Sequence, residues 1–257
     1  PRVYPKARYG VSVWVMILLD KFQSYTPSNR LYQRLADQGI PLSPGTVTNG
    51  LQKLVPLFLP IQQAMRQQQA QESLFHNDET PWKVFEKVEG KVGYRWYLWV
   101  TRSASVISFT VATGRSTEVL NDGFADHTKT PIVIVCDRYA AYKKFAKAAG
   151  GLVRLAFCWA HVRRDFLEAA RAYPADEDWL FQWVQAIGTL YHYNQQRLDA
   201  WGSDRPLTAQ SPAFNQAQQQ LCAAITPFRA TLNTALETEA PLKDAPKSKR
   251  FKLVTSL

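Results

Sequence analysis

Leu74-Phe75-His76-Asn77-Asp78 and, further along, Pro131-Ile132-Val133-Ile134-Val135-Cys136-Asp137 are the two stretches that decide how this chain folds. The second is a continuous apolar run ending in an acid. A strand with no polar alternation is covered on both faces, which places it inside a sheet flanked by helices. Working back from it, residues 74 to about 85, Tyr94 to Thr101 and Val106 to Ala112 are rich in β-branched and aromatic residues. Glu89-Gly90 and Arg102-Ser103 supply the turns, so the three strands read as an antiparallel meander. A helical piece, Ser116 to Phe124, separates the meander from the apolar run. Working forward, a helix carrying Tyr139, Tyr142 and Phe145 follows, then a strand from Val153 to Trp159, then a helix from about His161 to Ala172.

The order β-β-β-α-β-α-β-α is that of a ribonuclease H-like α/β fold, a mixed sheet in which the first strand lies beside the fourth. Outside it, residues 1–72 read as a helical region and residues 176–257 as an α-helical appendage with Trp179, Trp183, Leu190, Leu221 and Leu232. The expected domains are therefore 1–72, 73–175 and 176–257.

Strand adjacency gives the acids their meaning. Asp78 lies within the first strand and Asp137 ends the fourth, 59 positions later. If these strands are neighbours, two hard oxygen donors converge at one edge of the sheet, a pair suited to Mg²⁺ or Mn²⁺ and to two-metal phosphodiester chemistry. An Asp after an apolar strand is also a common turn former, so the pairing carries the reading rather than either residue alone. Cys158-Trp159-Ala160-His161 sets a thiol and an imidazole three positions apart, but a zinc site needs about four ligands. Cys222, His76, His127 and His192 offer no matching spacing. Cys158 and His161 are therefore expected to be structural, at a strand-to-helix junction. Arg163 and Arg164 follow at once and face either phosphates or solvent.

The net charge of +10 is unevenly spread. Residues 1–72 hold 8 basic and 3 acidic residues, residues 241–257 hold 5 and 1, and the stretch between them is close to balanced. Basic flanks around a neutral body point to a polyanion met through phosphate contacts; a merely solvated basic surface is the alternative. Within the basic front, residues 28–38 read as a helix stopped by Gly39. Ser43-Pro44 then offers a capping hydroxyl with proline at the first helical position. This helix-turn-helix candidate, residues 28–55, would present Thr46, Thr48 and Asn49 to a major groove or backbone, with Arg30, Arg34 and Lys53 nearby. An αα-hairpin that only packs is the competing reading. A glutamine-rich helix, Ile61 to Gln71, is expected as a separate connector.

Composition removes other classes. A chain of 257 residues, 46% hydrophobic, is neither disordered nor a minimal disulfide scaffold. The longest apolar run, Val11 to Leu19, is too short for a membrane span. Three cysteines without framework spacing and the lack of a signal segment fit a reducing cytoplasm.

The segments YPKARYG (4–10), HNDETPWKV (76–84), GYRWYLWV (93–100), VCDRYAAY (135–142) and CWAHVRRDF (158–166) occur in this order. Together they resemble the transposases of the insertion sequence 66 family, bacterial DDE-type enzymes. The resemblance implies a catalytic domain that cuts double-stranded DNA at transposon ends and joins the freed 3′-hydroxyl to target DNA with two divalent metals. It implies self-association on DNA, accessory proteins of the same element and a nucleoid-associated location in the cytoplasm. Asp78 and Asp137 match the first two catalytic acids, and Cys158 and His161 match a Cys-x-x-His motif shared with several DDE groups.

Two departures accompany the resemblance. The zinc-finger-like segment that precedes YPKARYG in the family is absent, and no Asn-x-x-Glu segment, the expected home of the third acid, occurs before Leu257. Glu168, 31 positions after Asp137, and Glu237 or Glu239 are the substitutes to weigh. The chain is thus expected to be a piece of a longer protein with an incomplete active site, or a catalytically inactive DNA-binding regulator. A nuclease acting on RNA–DNA hybrids is a third class compatible with the fold alone.

Overall fold

The computed structural model describes residues 2–7, 9–40, 42–90, 92–127, 131–201, 211–240 and 248–257. Pro41 and the first part of the basic tail, residues 241–247, lie outside the described residues. One five-stranded sheet has the order β3-β2-β1-β4-β5, formed by β1 (Leu74–Lys83), β2 (Arg95–Arg102), β3 (Ile107–Ala112), β4 (Ile132–Cys136) and β5 (Val153–Phe157). The meander is antiparallel, with Asp78 opposite Val100 and Val100 opposite Phe109. β4 is buried at alternate positions and half-buried between them, as its unbroken apolar run requires. Helices α4 (Thr117–Gly123), α5 (Ala140–Ala148) and α6 (Trp159–Ala172) fall between and after the strands in the expected order. This strand order is the ribonuclease H-like arrangement.

The described residues form two compact units, residues 1–134 with 144–154 and residues 135–143 with 155–257. In the first, α1 (Val11–Leu18) runs on through a π-helical turn, Leu19–Gln23, and α2 (Ser28–Asp37) precedes α3 (Pro44–Gln69). Trp14, Ile17, Leu31, Leu35, Leu42, Val47 and Leu54 make their shared core. Ser43 caps α3 as expected, its Oγ accepting from the Thr46 N–H at 3.2 Å. One expectation is corrected here. The capped helix and the glutamine-rich connector are a single 26-residue helix, continuous through Pro56 and Pro60. Each proline withholds one backbone donor, but one missing bond in a long helix does not end it when the surrounding turns remain bonded.

The far end of α3 is fastened to the meander by one buried amide. Gln69 Nε2 donates to the carbonyls of Thr101 and Val106, and its Oε1 accepts from the Ser108 hydroxyl at 3.0 Å. Its own carbonyl lies 2.9 Å from His127 Nε2, and the His127 ring packs edge-on against Phe75. Just beyond, Glu72 receives the Ala104 N–H at 2.7 Å and the Ser105 N–H at 3.2 Å, closing the β2–β3 turn.

The second unit is built on Val162, Phe166, Leu180, Trp183, Ile187 and Phe228, supplied by α6, α7 (Glu177–Asp199) and α8 (Pro212–Glu239). After residue 240, α9 (Lys249–Val254) buries Leu253 and Val254 in this core. Arg250 holds it there, lying over the Trp179 ring and ion-paired with Asp176 and Glu239. That basic residue of the tail is thus committed to packing. Among the described residues no helix is long and apolar enough to cross a membrane.

Two stability predictions follow from these contacts. A Cβ at Gly50 would overlap the Trp14 indole, so Gly50→Ala lowers unfolding stability by about 2 kcal/mol through overpacking, read from urea denaturation. The Ser103 and Ser105 hydroxyls, with the Ala104 and Ser105 N–H groups, hold the Glu72 carboxyl below its usual value against a smaller opposing effect of burial. A lowered folded value means stabilisation that is full above the ordinary glutamate range and is lost as pH falls through the folded value. The difference in urea midpoint between the wild type and Glu72→Gln therefore narrows on acidification.

Candidate active site

Alternation along β1 sorts its side chains by face. Phe75 and Asn77 are buried, whereas Leu74, His76, Asp78 and Thr80 are exposed. Asp78 therefore stands on the open face of the sheet, and its Oδ1 accepts the Glu79 N–H at 2.9 Å. The next acid does something else. Glu79 turns to the other face, its side chain fully buried and ion-paired with Arg115, whose guanidinium lies 6.0 Å from the Tyr97 ring centroid. Of the two acids in Asp-Glu-Thr, one is presented and the other is structural. Sequence reading missed the second because Arg115 lies in a turn 36 positions away.

Asp137 is half-buried one residue beyond β4. Its Oδ1 accepts the Tyr139 N–H at 2.8 Å, a side-chain turn that leads the backbone into α5. Arg138 is ion-paired with Asp165 of α6 and donates to the Ser256 carbonyl at 3.1 Å. The cation next to Asp137 in sequence is therefore held by a different carboxylate. β1 and β4 are neighbours in the sheet, so the strands that carry Asp78 and Asp137 run side by side.

Cys158 is the residue before α6, half-buried, without a side-chain capping bond, and His161 lies in the first turn with its N–H on the Cys158 carbonyl at 3.1 Å. Among the described residues no group of three or more His, Cys, Asp or Glu side chains is placed to hold a metal ion. Arg163 and Arg164 are exposed on α6. Tyr191, which the sequence did not single out, has its phenol pushed above the usual value, chiefly by burial and then by Cys158, with Arg163 opposing. The substitute third acids are scattered. Glu168 is exposed on α6 and Glu237 on α8, while Glu239 is buried and committed to Arg250.

In the helical front, Arg30, Thr48 and Asn49 are exposed and Thr46 is half-exposed. Thr46 Oγ1 is 2.8 Å from the Ser43 hydroxyl, within the cap. Arg34 is ion-paired with Asp20, and Lys53 lies 5.3 Å from the Tyr4 ring centroid.

The chain matches the family model described as Transposase IS66 family over residues 6–252. It belongs to that family. DNA transposition by a DDE-type transposase is accordingly the function of the IS66 family chain described here. No curated protein matches it. Similar solved structures include the HTLV-2 integrase catalytic core domain in complex with magnesium, in a dimeric and a trimeric form. Each has 15% identity and a TM-score of 0.26, covering 57% of this chain and 82% of that one. The simian T-cell lymphotropic virus intasome in complex with a PP2A regulatory subunit has 14% identity and a TM-score of 0.24, covering 58% of this chain and 47% of that one.

Removing Arg115 takes the ion-pair partner from the buried Glu79 carboxylate. Arg115→Met therefore lowers stability by about 2–3 kcal/mol, less than for a fully buried pair because Arg115 is itself partly exposed. Asp78→Asn, on the open face, changes stability by less than about 0.5 kcal/mol. Urea titrations of the two variants check the contrast.

Proposed function

We propose that this IS66 family chain binds double-stranded DNA through its helical front and supplies Asp78 and Asp137 as two of the carboxylates that hold Mg²⁺ or Mn²⁺ in DNA strand cleavage and transfer. The observation that carries the reading is the sheet order, which sets β1 beside β4 with Asp78 on the open face and Asp137 at the strand end. Carboxylate oxygens are the donors these ions take, so the donor type fits. When bound, a pair of such ions activates the attacking oxygen and stabilises the leaving one. The backbone amides of Glu79 and Tyr139 each hold one oxygen of these acids, fixing the carboxylate planes.

Transposon ends and target DNA meet Arg30, Thr48 and Asn49 first, because these are exposed while Arg34 and Lys53 have intramolecular engagements. Arg163 and Arg164 add phosphate contacts, and Cys158 and His161 serve the junction between β5 and α6. The dispersal of Glu168, Glu237 and Glu239 favours a site that lacks its third acid within the described residues. Strand transfer then requires a carboxylate supplied by another segment.

The test is an assay of the 257-residue chain with transposon-end DNA and Mn²⁺. The expected result is DNA binding that weakens steeply with salt, with Arg30→Ala reducing the logarithmic salt slope by about one contact, and strand transfer at background. Mn²⁺-dependent strand transfer abolished by Asp137→Ala would overturn the incomplete site. Cleavage that survives both Asp78→Ala and Asp137→Ala would overturn the assignment of the acids. Salt-independent affinity would count against the DNA-binding front.

A further inference from the structure

In the second unit, the start of α6 and one side each of α7 and α8 line a hollow of about 390 Å³. Helical spacing makes its walls. Ile225, Phe228, Arg229 and Leu232 recur along α8 at steps of three and four, and Leu190, Tyr191 and Asn194 share a face of α7. Trp159, the first residue of α6, completes the lining, its ring tilted 39° to Phe228 with the centroids 5.5 Å apart. A space of this size is in the range of small-molecule sites. Apolar walls give the water inside few partners, so an apolar body that displaces it gains free energy.

The polar groups on these walls are few and of one kind. Asn194 spends its amide oxygen on Arg197, accepting from Nε at 3.2 Å and from Nη2 at 2.9 Å, and so offers its N–H groups. Arg229 is exposed and, among the described residues, makes no hydrogen bond or ion pair. Tyr191, whose phenol is held above its usual value, stays protonated at neutral pH and can donate as well. None of the lining residues is a carboxylate. The hollow therefore combines an apolar, partly aromatic wall with donors and a single positive charge.

We propose that this hollow binds an organic acid with a flat aromatic body, its carboxylate on Arg229 and Asn194 and its ring against Trp159 and Phe228. The two oxygens of a carboxylate match the forked N–H groups of a guanidinium, and a flat ring matches the aromatic wall. A bare phosphate would leave the apolar walls to water. A nucleobase asks for acceptors as well as donors, and the acceptor of Asn194 is already taken by Arg197. The site uses neither Asp78 nor Asp137 and does not depend on DNA binding.

Isothermal titration of the 257-residue chain with naphthoate, without DNA or metal, tests this. One site with a dissociation constant on the order of 0.1–1 mM is expected. Naphthamide, the same shape without the charge, binds about tenfold more weakly. Arg229→Met brings naphthoate down to the level of the amide and leaves the amide unchanged. Arg171→Met, the same loss of charge at an exposed position farther along α6, leaves naphthoate within about twofold. Leu232→Trp fills the hollow and removes binding of both probes, with circular dichroism showing whether the variant is folded. Should it misfold, Arg229→Met, at an exposed residue, still decides. Equal binding of acid and amide, or naphthoate binding indifferent to Arg229→Met, overturns the proposal. So does the absence of naphthoate binding at about 5 mM, the result for a hollow filled by a protein segment instead.

Discussion

Everything in the sheet depends on where β4 enters it. The chain passes through α4 and brings the apolar run from 132 to 136 beside β1 instead of beside β3. The Val133 N–H donates to the Ser73 carbonyl at 2.7 Å at the start of that pairing. Inserting the strand there leaves β3 at one edge and β5 at the other, and makes neighbours of two strands whose acids are 59 positions apart in sequence. The proposed pairing of Asp78 with Asp137 rests on that insertion.

Around that constraint the polar groups divide their labour. Glu79 and Arg115 are spent beneath β1, Arg138 and Asp165 beside β4, and Gln69 and Glu72 where α3 meets the meander. In the first two cases the neighbouring acid lies outside the ion pair: Asp78 next to Glu79, Asp137 next to Arg138. Alternation of a strand's side chains gives the first separation directly, since consecutive residues must take opposite faces. In the second, the Asp137 side chain is drawn onto its own turn while the longer Arg138 reaches α6.

The strand order and most element positions were legible because period-two runs, an unbroken apolar strand and a Ser-Pro cap are local signals. The cap at Ser43 and the alternation of Phe75, Asn77 and Asp78 read directly into structure. What was not legible is long-range. Arg115 finds Glu79, and Arg250 finds Asp176 and Glu239, only once the fold brings distant segments together. The two helices expected here are one: α3 runs through Pro56 and Pro60, with Leu54 and Gln69 buried on either side of them.

Under the proposed function, Asp78 and Asp137 act on one bound divalent ion. Its most direct measurement is backbone cleavage by hydroxyl radicals generated at Fe²⁺ bound to the purified chain, which marks the residues nearest the ion without any need for DNA or turnover. Cuts clustered near both 78 and 137 are expected, suppressed together by Asp78→Asn or by excess Mg²⁺. Cuts at only one of the two acids, or a pattern unchanged by Asp78→Asn, would contradict it.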